Sequence, residues 1–294
     1  MTPLRSRRAF LTSGVLPGTS LLAGCLGRAE KPPEQPPGIN SDSSIQSIGF
    51  DGGEMVVELS DDHDVTRLNL IDAGGELYTQ TTVASGETTS RLEILDIRPG
   101  LGGYEHYEPG DYELVSVGGA GETNSTALEL VPDLQIVDIS QYRDGERNSD
   151  YGKLAVTVEN VGTGPTWVYG ISYNGAPNDL VNDPLNIDPG LPRLSLPSSL
   201  PEILLEPNES NQFVGDTTPL VFSDQEEQTC AGDSTFVVLI GSPTAEPIQQ
   251  PVTISVKGES ISVGHTGEYS CTEVSVKVVD GERFQNQSTN PRWF

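Results

Sequence analysis

Three cysteines, three histidines and a few clustered acids are the side chains of this 294-residue chain that could do chemistry. Cys25 closes the stretch "SRRAFLTSGVLPGTSLLAGC" (6–25), where small residues precede a thiol that could be alkylated. Cys230 and Cys271 stand 41 residues apart, a spacing open to a disulfide, to two free thiols or to a metal site. Zinc asks for four ligands, mostly Cys or His, and none of His63, His106 and His265 stands at ligand spacing from a cysteine. A blue-copper site needs two His, one Cys and usually a Met. Thr-Glu-Val-Ser-Val follows Cys271, and Met55 is the only methionine after Met1, so copper is excluded. No cofactor is expected.

Asp61, Asp62 and Asp64 in "SDDHDV" offer the oxygen ligands that Ca²⁺ prefers, and they equally fit a solvated hairpin tip. Gly232-Asp233-Ser234 resembles the opening of one serine-hydrolase family. That family closes with Asp-x-x-His, which this chain lacks, as it lacks Gly-x-Ser-x-Gly. A serine with no base to take its proton is inert. Ser234 is therefore read as part of a turn before "TFVVLIG", and the chain as a non-enzyme. Asn124-Ser125-Thr126, Asn208-Glu209-Ser210 and Asn286-Gln287-Ser288 are glycosylation sequons, of use only on an exported protein.

The segment that carries Cys25 decides export. Phe10 to Gly24 is broken by Gly14, Pro17 and Gly18, too short for the ~20 apolar residues of a membrane-spanning helix. A charged start, a short apolar run and small residues before a cut point describe an export signal. Ser6-Arg7-Arg8-Ala9-Phe10-Leu11 resembles the twin-arginine signal, with Arg7 and Arg8 as the pair read by a receptor that exports folded proteins. Leu22-Ala23-Gly24-Cys25 resembles a lipobox, which implies cleavage before Cys25 and a lipid on its sulfur. Two lipid chains hold a protein stably where one holds it only reversibly. Outside the cell thiols oxidise, so with Cys25 lipidated the expectation for Cys230 and Cys271 is a disulfide.

The charge agrees with a surface address in salt. Lys and Arg number 16 against 43 Asp and Glu, a formal net charge of −27. Loss of residues 1–24 removes Arg5, Arg7 and Arg8 and no acid, leaving −30 (13 basic, 43 acidic). Such a chain repels itself in dilute buffer and is screened within ~3 Å at molar salt. With few lysines, it resembles the haloarchaeal twin-arginine lipoproteins. It offers no basic patch for nucleic acid.

The elements that must position these residues read as strands. Residues 25–44 hold the lipidated cysteine and a Pro-rich tether, with paired prolines that favour extended polyproline II. From 45 to 131 the apolar residues alternate, as in Met55, Val57, Leu59 and Leu68, Leu70. Gly-rich turns separate the runs. The Pro109-Gly110-Asp111-Tyr112 turn resembles that of small immunoglobulin-like surface domains. From 132 to 281, Val156, Val158, Asn160 and Gly162 fall in a Val-x-Val-x-Asn-x-Gly pattern that resembles CARDB-like sandwiches. Val252, Ile254, Val256 and Val274, Val276, Val278 alternate in the same way. The Pro-rich stretch 174–204 reads as a long loop without a strand, and 282–294 as a polar tail. The fold class is all-β: two immunoglobulin-like β-sandwich domains in series after signal and tether.

The expected function is a non-enzymatic protein, lipid-anchored on the extracellular face of the cell membrane and disulfide-bonded. It would present its sandwiches for adhesion or protein association with a surface protein or glycan. The alternative is a ligand-binding accessory lipoprotein of an envelope or transport complex, with 174–204 as a pocket lid.

Overall fold

The computed structural model describes residues 44–98, 103–144, 147–178, 188–199, 201–223, 229–244, 247–263 and 267–279. Arg7, Arg8, Cys25, the tether up to residue 43, Asn286, His265 and the tail lie outside the described residues. Among the described residues no helix is long and apolar enough to cross a membrane.

The first half is built from β1 (Ile45–Asp51), β2 (Glu54–Leu59), β3 (Val65–Asp72), β4 (Leu77–Thr82) and β5 (Thr89–Glu93). It continues through β6 (Leu95–Arg98), β7 (Gly103–His106), β8 (Gly110–Gly118) and β9 (Thr123–Leu130). One sheet has the order β1-β2-β5 and the other β4-β3-β8-β9, with β6-β7 as a separate ribbon. β5 thus returns beside β2 after β3 and β4 have been laid in the opposite sheet. This is an antiparallel sandwich. The period-two pattern is its cause: Met55, Val57, Leu59, Leu68 and Leu70 are all buried between the sheets. Gly52 and Gly53 form the two-residue β1–β2 turn with φ of 65° and 91°. Turns of that kind need positive φ at both positions and match the strand twist. At the Pro109-Gly110-Asp111-Tyr112 turn, the Tyr112 hydroxyl donates to the Glu108 carbonyl at 2.8 Å. That tyrosine corner is a hallmark of immunoglobulin-like sandwiches.

The second half holds β10 (Leu134–Gln141), β11 (Leu154–Asn160), β12 (Thr166–Trp167), β13 (Gly170–Asn174), β14 (Leu194–Leu196) and β15 (Leu204–Leu205). It ends with β16 (Ser210–Gly215), β17 (Phe222–Ser223), β18 (Gly232–Gly241), β19 (Ile248–Ser262) and β20 (Glu268–Val278). A β10-β11-β16-β14 sheet faces a β13-β18-β19-β20-β17 sheet, with β12-β15 as a short ribbon. Val156, Val158, Phe213, Val238, Val252 and Ile254 fill the space between. Gly232-Asp233-Ser234 is no turn: Ser234 stands within β18, paired with Ile254, because the strand starts at Gly232, three residues before "TFVVLIG".

The stretch 174–204 also differs from the expected loop. Leu194–Leu196 pairs with β16, and Leu204–Leu205 pairs with β12. Upstream of β14, the Trp167 indole donates to the Pro189 carbonyl at 3.1 Å, and the Arg193 amide to the Tyr169 carbonyl at 2.8 Å. The described part of this stretch is therefore laid over the sandwich. Strand runs of two or three residues between prolines are too short to show a period.

The two sandwiches share one continuous buried cluster and belong to one compact unit.

Candidate binding cleft at the sandwich junction

The β6–β7 ribbon interrupts the first sandwich between β5 and β8, and its residues reach the second. Tyr104 and His106 lie two apart on β7 and stack, with ring centroids 5.8 Å apart and planes 6° apart. Both meet fully buried Trp167 edge-on, at 6.0 Å and 6.2 Å. The His106 Nδ1–H donates to the Tyr107 carbonyl at 2.9 Å, which fixes the ring beside Tyr104. Tyr107 is fully buried, and its hydroxyl donates to the Pro165 carbonyl at 2.8 Å. Nearby, the Gly52 amide donates to the Glu206 carboxylate at 3.0 Å. Burial raises the Glu206 pKa, and the Gly52 hydrogen bond opposes that shift.

A cleft of about 500 Å³ opens over this ribbon, lined by Tyr78, Glu93, Tyr104, Glu105, His106 and Glu108 among others. Tyr104 is 37% exposed there. Asp96 and Glu105 are cross-strand partners, and Arg98 bridges them at 2.5 Å and 2.8 Å. Both carboxylates thus spend acceptor capacity on one guanidinium. The Tyr78 hydroxyl donates to the Ile94 carbonyl at 2.9 Å. Its pKa is pushed up to about 12, by burial first and then by Tyr112, Glu105 and Glu93 nearby. A second cleft of about 300 Å³ lies against Gly52, Glu93, Leu95, Pro201 and Leu204, across the junction. Such a surface can hold a ligand by ring contact and by carboxylate acceptors. Among the acids that line it, Glu93, Glu105 and Glu108 are exposed, and Asp96 is half-buried beside Arg98.

Apart from His106, the described residues singled out in the sequence lie elsewhere. Cys230 and Cys271 form a disulfide with Cα atoms 5.7 Å apart, inside the range such bonds span. Cys271 is fully buried on β20, and its carbonyl accepts the Gln141 side-chain N–H at 2.8 Å. Asp61, Asp62 and Asp64 do not form a cation cage: among the described residues no three metal-ligating side chains converge. His63 between them is turned to the backbone. Its Nε2–H donates to the Glu87 carbonyl at 2.7 Å, and its Nδ1 accepts the Val65 amide at 3.1 Å. The aspartates are left exposed on a tip. Met55 is core. Asn124 stands in β9, and Asn208 in the turn after β15.

Sequence reasoning weighed His106 only as a zinc ligand and missed Tyr104 and Tyr107. The available signal was the crowding of rings in Gly-Tyr-Glu-His-Tyr within a chain that is only 6% aromatic.

No family model matches the chain, and no curated protein matches it. Two solved structures of a glycosyl hydrolase family 2 (GH2) member from Bacteroides cellulosilyticus are similar over 70% of this chain. The identities are 14% and 16%, and the TM-scores 0.19 and 0.18. The chain spans about a quarter of their length, 25% and 23%. Likeness at that level carries no argument about activity.

Proposed function

We propose that the protein is an exported, lipid-anchored surface protein that binds a partner and catalyses no reaction. Its twin sandwiches would stand off the membrane on the Pro-rich tether, with Cys25 as the lipidated N-terminus. The binding reading rests on one observation: the open cleft whose wall is Tyr104 and His106, braced by Trp167. Three of its four acids are solvated, and Asp96 and Glu105 are tied to Arg98, which suits association better than catalysis. A general acid needs a raised pKa, which enzymes obtain by burial. A surface protein or a glycan is the expected partner, and nucleic acid is excluded by charge. The accessory-lipoprotein reading keeps one support, since Pro201 and Leu204 of the 174–204 stretch line the smaller cleft.

Detergent-solubilised full-length protein, added back to envelopes of cells that lack it, tests this. The wild type and Thr235→Ala, a surface change on β18, should bind equally, and Tyr104→Ala should bind at least tenfold more weakly. Protease- or periodate-treated envelopes separate protein from glycan partners. Equal binding by all three chains would remove the cleft from the account.

A further inference from the structure

Both described sequon asparagines are exposed, but their sequons differ in the third residue: Thr126 is buried and Ser210 is exposed. Asn124 lies inside β9, where a ladder to β8 runs from Gly110–Leu130 to Val117–Thr123. The Asn124 carbonyl accepts the Ser116 hydroxyl at 3.4 Å. The third sequon residue, Thr126, is only 6% exposed. Asn208 occupies the turn between β15 and β16. It is the one described non-glycine residue with positive φ, at 65°, a conformation asparagine tolerates better than most residues. The turn is held by its backbone. The Asn208 amide donates to the Asn160 carbonyl at 2.7 Å, and the Glu209 amide to the Glu206 carbonyl at 3.0 Å. The Glu209 carboxylate accepts the Glu206 amide at 3.0 Å. The Asn208 carboxamide makes no hydrogen bond among the described residues, and Asn208 and Ser210 are both exposed.

We infer that Asn208 is an N-glycosylation site of the folded protein and that Asn124 is not. A transferase must reach the side-chain amide and read the hydroxyl two residues on. At Asn208 the carboxamide stands on a preformed turn and the hydroxyl on Ser210, the exposed first residue of β16. At Asn124 the hydroxyl is inside the sandwich, so reading it requires peeling β9 from β8. The distinction matters because a twin-arginine substrate crosses the membrane already folded, so the transferase outside meets native structure. That clause rests on the export reading of Arg7 and Arg8. The donor class is a phosphate-linked lipid oligosaccharide. A bond forms between the Asn208 amide nitrogen and sugar C1 while the C1–O bond to the phosphate breaks. The electron pair leaves with the phosphate, and the amide loses one proton. The glycan would stand beside the junction, since Glu206 of the same turn holds Gly52.

The test has two arms, both in an Asn286→Gln background so that only the described sequons report. In the first, protein is recovered from envelopes and its glycopeptides are mapped. Asn208 should carry the glycan, Asn208→Gln should run at the bare mass, and Asn124→Gln should be unchanged. In the second, purified native protein and the reduced, denatured chain are offered to an oligosaccharyltransferase with its lipid-linked donor. The native chain should accept at Asn208 alone and the denatured chain at both sites. Modification of native protein at Asn124, or a bare Asn208 on envelope protein, would overturn the inference. Protein found uncleaved in the cytosol would instead sink the export reading, and the second arm would still decide which asparagine the fold offers.

Discussion

The phenol of Tyr107 and the carbonyl of Pro165 join the two sandwiches through one buried hydrogen bond of 2.8 Å. Next to it, a Cβ on Gly164 would come within 2.2 Å of the Tyr107 oxygen and 3.0 Å of the Leu130 backbone. A ring from the first sandwich thus occupies the space that the missing side chain of the second leaves open. The connection ties the end of the β6–β7 ribbon to the second sandwich.

Tyr107→Phe should lower stability by ~1–3 kcal/mol, the usual cost of leaving a buried acceptor without its donor. Gly164→Ala should cost ~1–3 kcal/mol by overpacking. The two should not add, because removing the hydroxyl removes the nearest atom the new methyl meets. Denaturant unfolding of both single variants and the double variant reads the coupling. Strict additivity would show that Gly164 and Tyr107 do not meet.

Asn160 is fully buried, and its whole carboxamide is engaged. Its oxygen accepts the amides of Asp133 at 3.2 Å and Gly162 at 3.1 Å. Its nitrogen donates to the carbonyls of Gly164 at 2.9 Å and Leu205 at 3.1 Å. Asn160→Ala should cost at least ~3 kcal/mol, since each stranded buried partner costs ~1–3 kcal/mol. Asn160→Asp should be as damaging near neutrality and recover part of the loss on acidification, when its protonated carboxyl regains one donor. Thermal melts across pH would report both, and an Asp variant of unchanged stability would contradict the hub.

That residue also marks what a sequence makes legible. The Val-x-Val-x-Asn-x-Gly pattern drew attention to Asn160 and Gly162, and Val156 and Val158 fell on the buried face as their parity requires. The same alternation gave the right strand for Val274, Val276 and Val278, yet Val278 is 40% exposed. Parity tells which face a residue takes and is silent on whether anything covers it. The junction was illegible for a related reason: Tyr107 bonds to the Pro165 carbonyl, 58 residues away, and no local period encodes such a meeting. The aspartates of "SDDHDV" were legible as acids, but the turn of His63 toward the Glu87 carbonyl, 24 residues away, was not.

Alkali should unfold the protein through its tyrosines. Burial raises the pKa of Tyr78 to about 12 and shifts Tyr107, Tyr112 and Tyr173 upward as well. Unfolded tyrosines lose their proton near pH ~10. Above that pH the unfolded chain binds fewer protons than the native one, so stability falls as pH rises. For Tyr78 the loss continues to about pH 12. A spectrophotometric phenolate titration of native protein should leave these groups of the nine tyrosines protonated until the fold is lost. Ionisation of all nine together at the ordinary value would contradict their burial.

The Cys230–Cys271 bond closes a loop of 41 residues, worth ~4 kcal/mol in the chain-entropy model. Reduction, or the Cys230→Ala, Cys271→Ala pair, should lower the unfolding free energy by an amount of that order. Native protein should weigh less before reduction than after it, by two hydrogen atoms. Two alkylatable thiols in unreduced, denatured protein would refute the bond.

The central claim is the anchor, and fractionation of cells expressing wild type beside Cys25→Ser tests it most directly. The wild type should sediment with membranes, and its N-terminal peptide should begin at Cys25 with added lipid mass, while Cys25→Ser should be released from the membrane. Protein recovered from the cytosol with Met1 in place and an unmodified Cys25 thiol would contradict the account.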